Sequence, residues 1–566
     1  MKRLVFLTTL VAILEVATNA SERRDADMLT AACRQLTGAT VNGSRSLQPQ
    51  EVKLLMKDRG LSVYGSDAGG FVVVSRDDRF PAVIGYSDTK FNTSDMPEGF
   101  KWWIEEVSQS MQQLAVTGGW YTALEATQVV EPMLTTQWSQ SEPYNLLCPK
   151  VATSRCPAGC VATASAQIMK FFNYPAQGRG EATYTKNGIK KTASIESVYD
   201  WSNMKDYYAS TQKSLTDANR AVAQLISDVG MASGMSYTVS YGGTNLQACA
   251  KGLGENFQYD SLALRLCYRD FFTEEEWNEL LVNELVNEHR PILYAGSPKD
   301  GSAGHAFVFD GIDSDGRVHV NWGWAGKCDG YFNITFLNPG ATAEQKGDYS
   351  YSNNMLIGIT PRETPAEGAV EKSLWVYDPI CQMSIDETDS LVITTGGIFN
   401  LDYRYFFGKL CLTLDNVNGS EEDSYTFVLY DSEEIDEDEG EAYGPIPFGY
   451  GFSFVENEED ETGSEAMIDL KDEEIKAGTY VVALVTQGLR EPTPSLVRGA
   501  GGTVCQYTLT KGEDGSLTLT EGVPTAISST FATQQRKENA IYNLNGQKVN
   551  RTSKGIYIVD SKKVKL

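Results

Sequence analysis

The sequence is short of basic residues and of histidine, and both shortages narrow the functions open to the chain. Lys and Arg together number 48 against 75 Asp and Glu, which leaves a formal net charge of −27 at pH 7. Phosphate binding needs a basic face, so this balance argues against nucleic acid as a partner. The 566 residues hold only three histidines, so a catalytic histidine has three candidates: His289, His305 and His319.

Beyond the first twenty residues, the sequence lacks any run apolar enough to span a membrane. Residues 1–20 are predicted to be a signal peptide, because Lys2 and Arg3 precede a short apolar run and small residues lead to a cleavage site after Ala20. The sequence therefore predicts a secreted or cell-surface protein.

Ten cysteines are present, but they lack the CxxC spacing of a zinc site. Cys148, Cys156 and Cys160 have no histidine nearby, so we expect neither a metal nor another cofactor. In an exported chain Cys148 and Cys156 are close enough in sequence to form a disulfide. Residues 313–316 are predicted to be a turn, since they lack the remaining ligands of a calcium loop.

The run that begins Gly159-Cys160 is the most informative part of the chain. Apolar residues follow at helical spacing, at Val161, Ala164, Ile168 and Phe171, which predicts a helix that buries one face. Cys160 then lies in the first turn, where the backbone N–H groups and the helix dipole favour a thiolate. Cys160 is therefore the candidate nucleophile.

His305 follows 145 residues after Cys160, the separation expected between a papain-type nucleophile and its base. His289 ends a helix-like stretch and is predicted to be a surface residue. A hairpin with a four-residue loop at 313–316 would place His305 opposite Trp324 and Phe307 opposite Trp322. His319 and Asn321 then lie on the other face, and His319 remains the alternative base.

Cysteine acyl transfer also needs hydrogen-bond donors for the developing oxyanion. The backbone N–H of Cys160 is one donor, because it lies at the start of the helix. A side-chain amide before the nucleophile is the usual second donor, and both Gln137 and Gln140 qualify from the residues alone.

The chain is predicted to be α+β and to consist of consecutive units. An α+β unit directly before the catalytic residues suggests an inhibitory propeptide, with processing near Val129, and short β-rich segments towards the C-terminus suggest a sandwich of roughly seven strands. The predicted units are a signal peptide (1–20), a propeptide (21–128), a catalytic domain (129–362), an all-β sandwich-like domain (366–535) and a hairpin-like tail (540–566).

Several motifs in the same order resemble the streptopain family of cysteine peptidases, particularly its interpain-like members from Bacteroidales. They cover roughly residues 21–362 and include the segments at 70–75, 134–140, 159–164, 304–308 and 320–324.

The resemblance implies a papain-like fold secreted as a zymogen, with Cys160 as nucleophile and His305 as general base. It implies Gln140 as the oxyanion-hole amide. It also implies that Trp322 packs beside the histidine where papain has an asparagine, and Asn321 is the weaker candidate for that role. Residues 540–566 resemble C-terminal sorting segments of proteins exported across the Bacteroidetes outer membrane, which suggests a secretion machinery as a partner.

We therefore expect a secreted cysteine endopeptidase that cleaves protein or peptide substrates and is inhibited by its own propeptide. Two alternatives stay open on the sequence. One is a Cys/His acyl transferase, which uses the same chemistry with an amine in place of water. The other is a surface adhesin, in which the β domain binds host proteins and the peptidase is subsidiary.

Overall fold

A computed structural model of the chain describes residues 22–38, 49–58, 60–66, 69–97, 100–101, 103–105, 107–108, 111, 124, 128–209, 214–296, 304–334, 353–362, 374–376, 381–418, 424–433, 445–446, 450–454, 463–464, 466–471, 475–488, 494–523, 556–559 and 562–565. The predicted signal peptide and most of the predicted tail lie outside these residues.

Four of the five described α-helices begin after a capping side chain or a glycine. Thr216 and Asn245 cap two of them with side-chain oxygens, and Thr273 forms a reciprocal capping box with Glu276. The helices are α1 (Asp25–Gly38), α2 (Cys160–Phe172), α3 (Asp217–Ala232), α4 (Leu246–Glu255) and α5 (Glu274–Val282), which continues into a π-helical turn (Asn283–Asn287). Short 3-10 turns occupy Pro49–Glu51, Thr93–Asp95, Trp201–Asn203, Arg269–Phe271 and Ala500–Gly502.

Sixteen strands precede the C-terminal unit in the described residues. They are β1 (Lys53–Lys57), β2 (Leu61–Gly65), β3 (Phe71–Ser75), β4 (Val83–Ser87), β5 (Lys150–Val151), β6 (Ser154–Arg155), β7 (Glu181–Lys186), β8 (Ile189–Ser194), β9 (Ser236–Tyr237), β10 (Gly242–Gly243), β11 (Arg265–Tyr268), β12 (Ile292–Gly296), β13 (His305–Ile312), β14 (Val318–Asn321), β15 (Gly330–Phe332) and β16 (Asn353–Ile357). Ten of them form one sheet in the order β1-β2-β3-β4-β15-β14-β13-β12-β16-β11.

That sheet joins the N-terminal unit to the catalytic unit. The two meet where β4 pairs antiparallel with β15, and Tyr86 faces Tyr331 there. Phe100 and Trp103 of the N-terminal unit pack against Phe332 in the same hydrophobic core, with ring centroids 5.5 and 4.7 Å away. The two units therefore share a sheet and a core.

The continuous apolar run in β3 is explained by burial on both faces of the sheet. Phe71 and Val73 point into the core shared with the catalytic unit, whereas Val72 and Val74 pack beneath α1. Successive side chains of a strand alternate between faces, so a strand covered on both sides needs apolar residues throughout.

The regular structure described in the C-terminal unit is β apart from the 3-10 turn at Ala500–Gly502. Its strands are β17 (Trp375–Val376), β18 (Cys381–Ile385), β19 (Ser390–Thr395), β20 (Ile398–Phe399), β21 (Gly408–Asn416), β22 (Tyr425–Asp431), β23 (Gly451–Phe454), β24 (Gly463–Ser464), β25 (Ala466–Asp469), β26 (Gly478–Gly488), β27 (Ser495–Leu496), β28 (Gln506–Lys511) and β29 (Leu517–Glu521). These thirteen are about twice the predicted seven, since two-residue strands such as β17 and β20 are too short to show an alternating pattern. In the tail, β30 (Ile556–Val559) pairs with β31 (Lys562–Lys565).

The C-terminal unit packs on the catalytic unit beside α5. Trp375 lies against Phe271 and Phe272, with ring centroids 5.0 and 5.7 Å apart. Arg498 donates from Nη1 to both carboxylate oxygens of Glu276, at 2.8 and 2.9 Å. The docking therefore combines an aromatic contact with an ion pair in which one guanidinium nitrogen contacts both carboxylate oxygens.

The cysteines pair differently from the prediction. The disulfide found among the described residues joins Cys381 to Cys505 inside the C-terminal unit. Cys148 and Cys156 are both free and buried, so the disulfide considered between them is wrong for this structure. Burial raises the pKa of the Cys148 thiol to about 12.

Over the described part of the chain, none of the helices combines the length and the apolar character needed to cross a membrane.

Candidate active site

The nucleophile helix begins at Cys160 because the residue before it must be glycine. Gly159 has φ +91°, and a Cβ there would lie 2.6 Å from Cε of Met235 and 3.0 Å from the carbonyl oxygen of Gly242. Neither the conformation nor the space admits a side chain. The small residue therefore fixes where α2 starts and where the thiol lies.

Burial of α2 differs from the prediction of one buried face. Every residue from Val161 to Met169 is buried, whereas Phe171 is exposed. The helix is covered on all sides because it packs between β13 and the helices α3 and α4. Its small residues permit this close approach, and the apolar spacing alone could not distinguish one buried face from complete burial.

Cys160 is not held as a thiolate in this structure. Burial raises the pKa of its thiol, although the backbone N–H groups of Ala306, Val161 and Cys160 itself act in the opposite direction. The prediction that the helix start favours the thiolate therefore gives the wrong net direction. Desolvation of the charged sulfur outweighs the helix N-terminus here.

His305 begins β13 and is buried. Its Nε2 lies 2.9 Å from the carbonyl oxygen of Trp322 and 3.0 Å from the indole Nε1 of Trp324. One ring nitrogen cannot serve both partners at once, because the carbonyl requires its proton and the indole N–H requires its lone pair. Burial lowers the pKa of His305 to about 4, although the hydrogen bond to the Trp322 carbonyl acts to raise it. The ring is therefore neutral at pH 7.

The nucleophile and the base lie side by side without an ion pair. The sulfur of Cys160 lies against the backbone N–H of Ala306, the residue that follows His305. Both candidates belong to the described residues, and no hydrogen bond joins the sulfur to the imidazole there. With the N-terminal unit in place, the two groups are neighbours and both are neutral.

The hairpin that contains His305 has the predicted pairing near His305, but its loop and its register differ from the prediction. Its loop has five residues, since Ile312 pairs with Val318 and not with Arg317. A bulge at Asp310 then shifts the register by one residue. The two departures from the assumed four-residue hairpin compensate each other.

The aromatic rings meet as predicted beyond the bulge. The ring centroids of Phe307 and Trp322 are 4.7 Å apart, and those of His305 and Trp324 are 5.7 Å apart. The indole beside the histidine therefore belongs to Trp324. The sequence pairing pointed to Trp324, but its indole was not taken as a site residue.

Trp322 contacts the base through its main chain and not through its indole. The indole is fully buried, and its Nε1 donates to the carbonyl oxygen of Cys328 at 3.0 Å. Its carbonyl oxygen is the atom near His305 Nε2. The expected packing of the Trp322 side chain beside the histidine is replaced by this main-chain contact.

Asn321 faces away from His305 and is held by other groups. Its Nδ2 donates to the carbonyl oxygen of Thr136 at 2.8 Å, and its Oδ1 accepts from Nε2 of Gln167 at 3.0 Å. Gln167 was missed by the sequence reasoning. The signal that could have identified it is a polar residue among apolar helical positions, two turns after the nucleophile.

Of the two candidate oxyanion amides, Gln140 lies nearer the nucleophile. Its carbonyl oxygen accepts from the backbone N–H of Ala158, two residues before Cys160, at 3.0 Å. Gln137 is exposed, and its side chain lies against the position of Gly326. The structure therefore brings Gln140 to the start of α2 and leaves Gln137 outside.

The other two histidines lie apart from Cys160. His289 is exposed with φ +49°, after the π-helical turn. The Nδ1 of His319 lies 2.6 Å from Oδ1 of Asp310. Burial lowers the pKa of His319, but the Asp310 carboxylate outweighs it and the net pKa is raised.

The turn at 313–316 holds its carboxylate with protein groups. Oδ1 of Asp313 accepts from two backbone N–H groups, and its Oδ2 accepts from Nε of Arg317 at 2.9 Å. No cluster of three or more metal-ligating side chains occurs among the described residues.

Comparisons with known proteins identify relatives of both the N-terminal unit and the catalytic unit. A model of the Peptidase C10 family matches residues 138–332, and a model of the Spi protease inhibitor matches residues 37–111. Streptopain of Streptococcus pyogenes is 31% identical over 365 residues, which cover 58% of this chain and 88% of streptopain. The thiol protease/hemagglutinin PrtT of Porphyromonas gingivalis is 32% identical over 367 residues, which cover 59% of this chain and only 41% of PrtT.

Two solved structures from Prevotella intermedia are also similar to the chain. A cysteine-to-alanine mutant fragment of prointerpain A is 33% identical, covers 55% of this chain and 99% of the fragment, and has a TM-score of 0.49. Active wild-type interpain A is 37% identical, covers 42% of this chain and 96% of that protein, and has a TM-score of 0.36.

Proposed function

This chain belongs to the peptidase C10 family of cysteine peptidases, which includes streptopain, and on that basis we propose that Cys160, His305 and Gln140 carry its peptide-bond hydrolysis. The protein is a cysteine endopeptidase made as a zymogen, with an inhibitor-like N-terminal unit. Neither the acyl-transferase alternative nor the adhesin alternative is favoured.

One observation carries the assignment of the site. The sulfur at the start of α2 lies against the backbone of Ala306, next to His305 on β13. Among the described residues, no second cysteine–histidine pair of this kind accompanies a helix start. The pair therefore supplies a nucleophile and a base at one place in the structure.

The tautomer of His305 decides whether it can act as a base. When Nε2 carries the proton and donates it to the Trp322 carbonyl, Nδ1 is free to accept the thiol proton. The resulting imidazolium keeps that hydrogen bond, which stabilises the charged ring. In this tautomer Nε2 cannot accept from the Trp324 indole, so we assign Trp322 to orientation of the base through its carbonyl oxygen and the Trp324 indole to packing beside the ring.

The reaction then follows cysteine acyl transfer. The thiolate of Cys160 attacks the peptide carbonyl, and the Cys160 N–H and the Gln140 amide stabilise the oxyanion. The imidazolium of His305 protonates the leaving amine. Water, deprotonated by His305, then hydrolyses the thioester and releases the acid.

The N-terminal unit acts as the protein's own inhibitor, and we propose that its release requires cleavage near Val129. Val129 is 46% exposed, while Val130 already exchanges two backbone hydrogen bonds of 2.9 Å with Ile312 of β13. The backbone N–H of Leu134 donates to the buried carboxylate of Asp310. A cut before Val130 would leave the new N-terminal segment of the mature enzyme hydrogen-bonded to β13.

We further propose that the protein is exported to the cell exterior or surface through residues 1–20 and the tail. The tail proposal rests on the resemblance of residues 540–566 to sorting segments. The described pairing of β30 with β31 is compatible with a terminal hairpin. Truncation before residue 540 should retain the protein inside cells of the native host if the tail is a sorting signal.

The decisive experiment compares the full proform with its Cys160→Ala variant. Both are incubated at neutral pH under mild reduction with casein, and the products are followed by gel and mass spectrometry. Cys411→Ala removes a buried thiol of the C-terminal unit and serves as the control. We expect the wild type and the control to cleave themselves near Val129 and to degrade casein, while Cys160→Ala stays intact. Activity retained by Cys160→Ala would contradict the proposal.

A further inference from the structure

Gln167 lies on α2, seven residues after Cys160, and is fully buried. Seven residues are about two helical turns, so both side chains lie on the same side of the helix. A buried carboxamide needs partners for both its oxygen and its nitrogen. Its Oε1 accepts from the backbone N–H of Trp138 at 3.1 Å, and its Nε2 donates to Oδ1 of Asn321 at 3.0 Å.

The orientation of this amide is determined by its partners. A backbone N–H can only donate, so the atom of Gln167 that faces Trp138 must be the oxygen. The nitrogen then faces Asn321 and requires an oxygen there. The amide nitrogen of Asn321 in turn donates to the carbonyl oxygen of Thr136 at 2.8 Å. The backbone N–H of Gly323 also donates to Asn321 Oδ1, at 3.1 Å, which requires the same orientation.

The partners of Gln167 belong to the two segments that flank the nucleophile. Trp138 lies two residues before Gln140, and its carbonyl oxygen accepts from the backbone N–H of Ala325 at 3.0 Å. Asn321 and Ala325 bracket the turn whose Trp322 carbonyl contacts His305. The oxyanion segment and the base-orienting turn are therefore bonded to each other at both ends, and Gln167 bonds both to the nucleophile helix.

We propose that Gln167 is a positioning residue, which holds the Gln140 segment and the turn that orients His305 in fixed register with Cys160. This inference rests on the proposed function and deepens it, because it explains how three distant segments reach one geometry. Gln167 itself touches neither the sulfur nor the imidazole. Its effect is on the placement of the groups that do.

The test uses full-length variants, each activated in trans by immobilised wild-type enzyme. Gln167→Met keeps the length of the side chain and removes both hydrogen bonds. We expect kcat to fall about tenfold to a hundredfold, because small displacements of reacting groups have effects of this size. The KM for a short peptide should change little, since Gln167 is fully buried and is not at a surface that a substrate can reach.

Ser165→Ala is the matched control. Ser165 is also a buried polar residue of α2, and its hydroxyl donates to the carbonyl oxygen of Val161 at 2.7 Å. It has no bond to the oxyanion segment or to the turn. We expect this variant to keep the wild-type kcat.

Gln167→Glu gives a readout that a purely structural role would not move. Its carboxylate can accept from Trp138 but presents a second oxygen to Asn321 Oδ1, which removes the donor. Protonation restores an O–H donor at that position. The ratio of its kcat to that of the wild type should therefore rise as the pH is lowered from 8 towards 5.

A wild-type kcat for Gln167→Met would overturn the inference. A ratio of the Gln167→Glu kcat to the wild-type kcat that does not change between pH 8 and pH 5 would also overturn it. If the Met variant does not fold, the change in the kcat ratio of the isosteric Glu variant between pH 8 and pH 5 decides alone. A parallel assay of Cys160→Ala distinguishes a failure of the proposed function from a failure of the role proposed for Gln167. Activity in that arm removes the proposed function itself, whereas an inactive Cys160→Ala beside a normal Gln167→Met removes only the role of Gln167.

Discussion

At the scale of single residues, the site contains two groups whose charges are suppressed by burial. Burial raises the pKa of Cys160 and lowers that of His305 to about 4, so neither carries its catalytic charge at pH 7. A thiolate–imidazolium pair requires the opposite shifts. We therefore expect release of the N-terminal unit to reverse both pKa shifts.

Alkylation of Cys160 should report this reversal. In the proform, we expect the rate of reaction with iodoacetamide to stay low through neutral pH and to rise only above the ordinary thiol range, because the thiolate is the reactive species. After removal of the N-terminal unit, formation of the ion pair should move that rise to lower pH. The measurement is the rate of mass gain on Cys160 as a function of pH. A proform that reacts at the mature rate at pH 6 would contradict the expectation.

Gly159→Ala tests how strictly the backbone places the nucleophile. Alanine at φ +91° is strained by about 1–2 kcal/mol, and its Cβ would collide with Met235 and with the Gly242 carbonyl. We expect a loss of thermal stability together with a drop in kcat/KM of about tenfold or more, because the helix start must move.

Gly188→Ala is the control for that substitution. Gly188 has φ +78° with open space around it, in the turn between β7 and β8. It should show a similar backbone strain with an unchanged kcat/KM. Equal activity losses in the two variants would mean that strain, and not the position of Cys160, causes the effect.

The residues also show how far sequence can reach. Cys160 and His305 stand out by residue type and spacing, so their proximity was predictable. The choice of Gln140 over Gln137 depends on which one lies beside Ala158, which residue type cannot reveal. The role of Trp322 depends on a main-chain carbonyl, and every residue has one.

At the scale of elements, the β13–β14 hairpin was predicted with the right partners and the wrong loop. The bulge lies at Asp310, whose carboxylate is fully buried and accepts from Leu134 while facing His319. Leu134 is 176 residues away in sequence. A bulge fixed by so distant a partner leaves no local signal, so an alternating pattern alone could not reveal it.

The pairing of β4 with β15 should control activation. A Cβ at Gly330 would lie 2.3 Å from the carbonyl oxygen of Tyr86 and 2.9 Å from Ser87, both in the N-terminal unit. We therefore expect Gly330→Ala to loosen this unit and to shorten the lag of self-cleavage. The measurement is the time course of proform conversion by gel.

Gly60→Ala provides the comparison within the N-terminal unit. A Cβ at Gly60 would meet Ser108 at an ordinary contact distance of 3.5 Å, away from β15. Its lag should match that of the wild type. An unchanged lag in Gly330→Ala would show that the strand pairing does not limit activation.

At the scale of the whole molecule, composition and motifs predicted consecutive units, but they did not predict the contacts that connect them. The Cys381–Cys505 disulfide joins residues 124 positions apart, and Cys148 with Cys156 seemed the more natural pair only because they are close in sequence. The shared sheet of the first two units likewise depends on a pairing between Tyr86 and Tyr331, which no local pattern specifies.

Docking of the C-terminal unit should depend on Trp375 more than on Arg498. Trp375 is nearly buried against two phenylalanines, and its replacement by alanine should cost about 3–5 kcal/mol. The partly exposed pair of Arg498 with Glu276 is worth about 0.2–1 kcal/mol. Calorimetry should show the catalytic and C-terminal transitions separating in Trp375→Ala and remaining together in Arg498→Ala. Equal separation in both variants would contradict this ranking.

The sheet and core that span the first two units have a consequence for the life of the mature enzyme. Phe100 and Trp103 complete a core that also contains Trp322 and Phe332, and β4 covers the edge of β15. Cleavage near Val129, as proposed above, would remove these parts after folding, so the released enzyme would have to keep its structure without contacts that were present while it folded. Its persistence then depends on the height of the unfolding barrier and not on an equilibrium it can re-establish. We expect that a mature molecule that unfolds does not refold, so that activation also removes the ability to recover from unfolding.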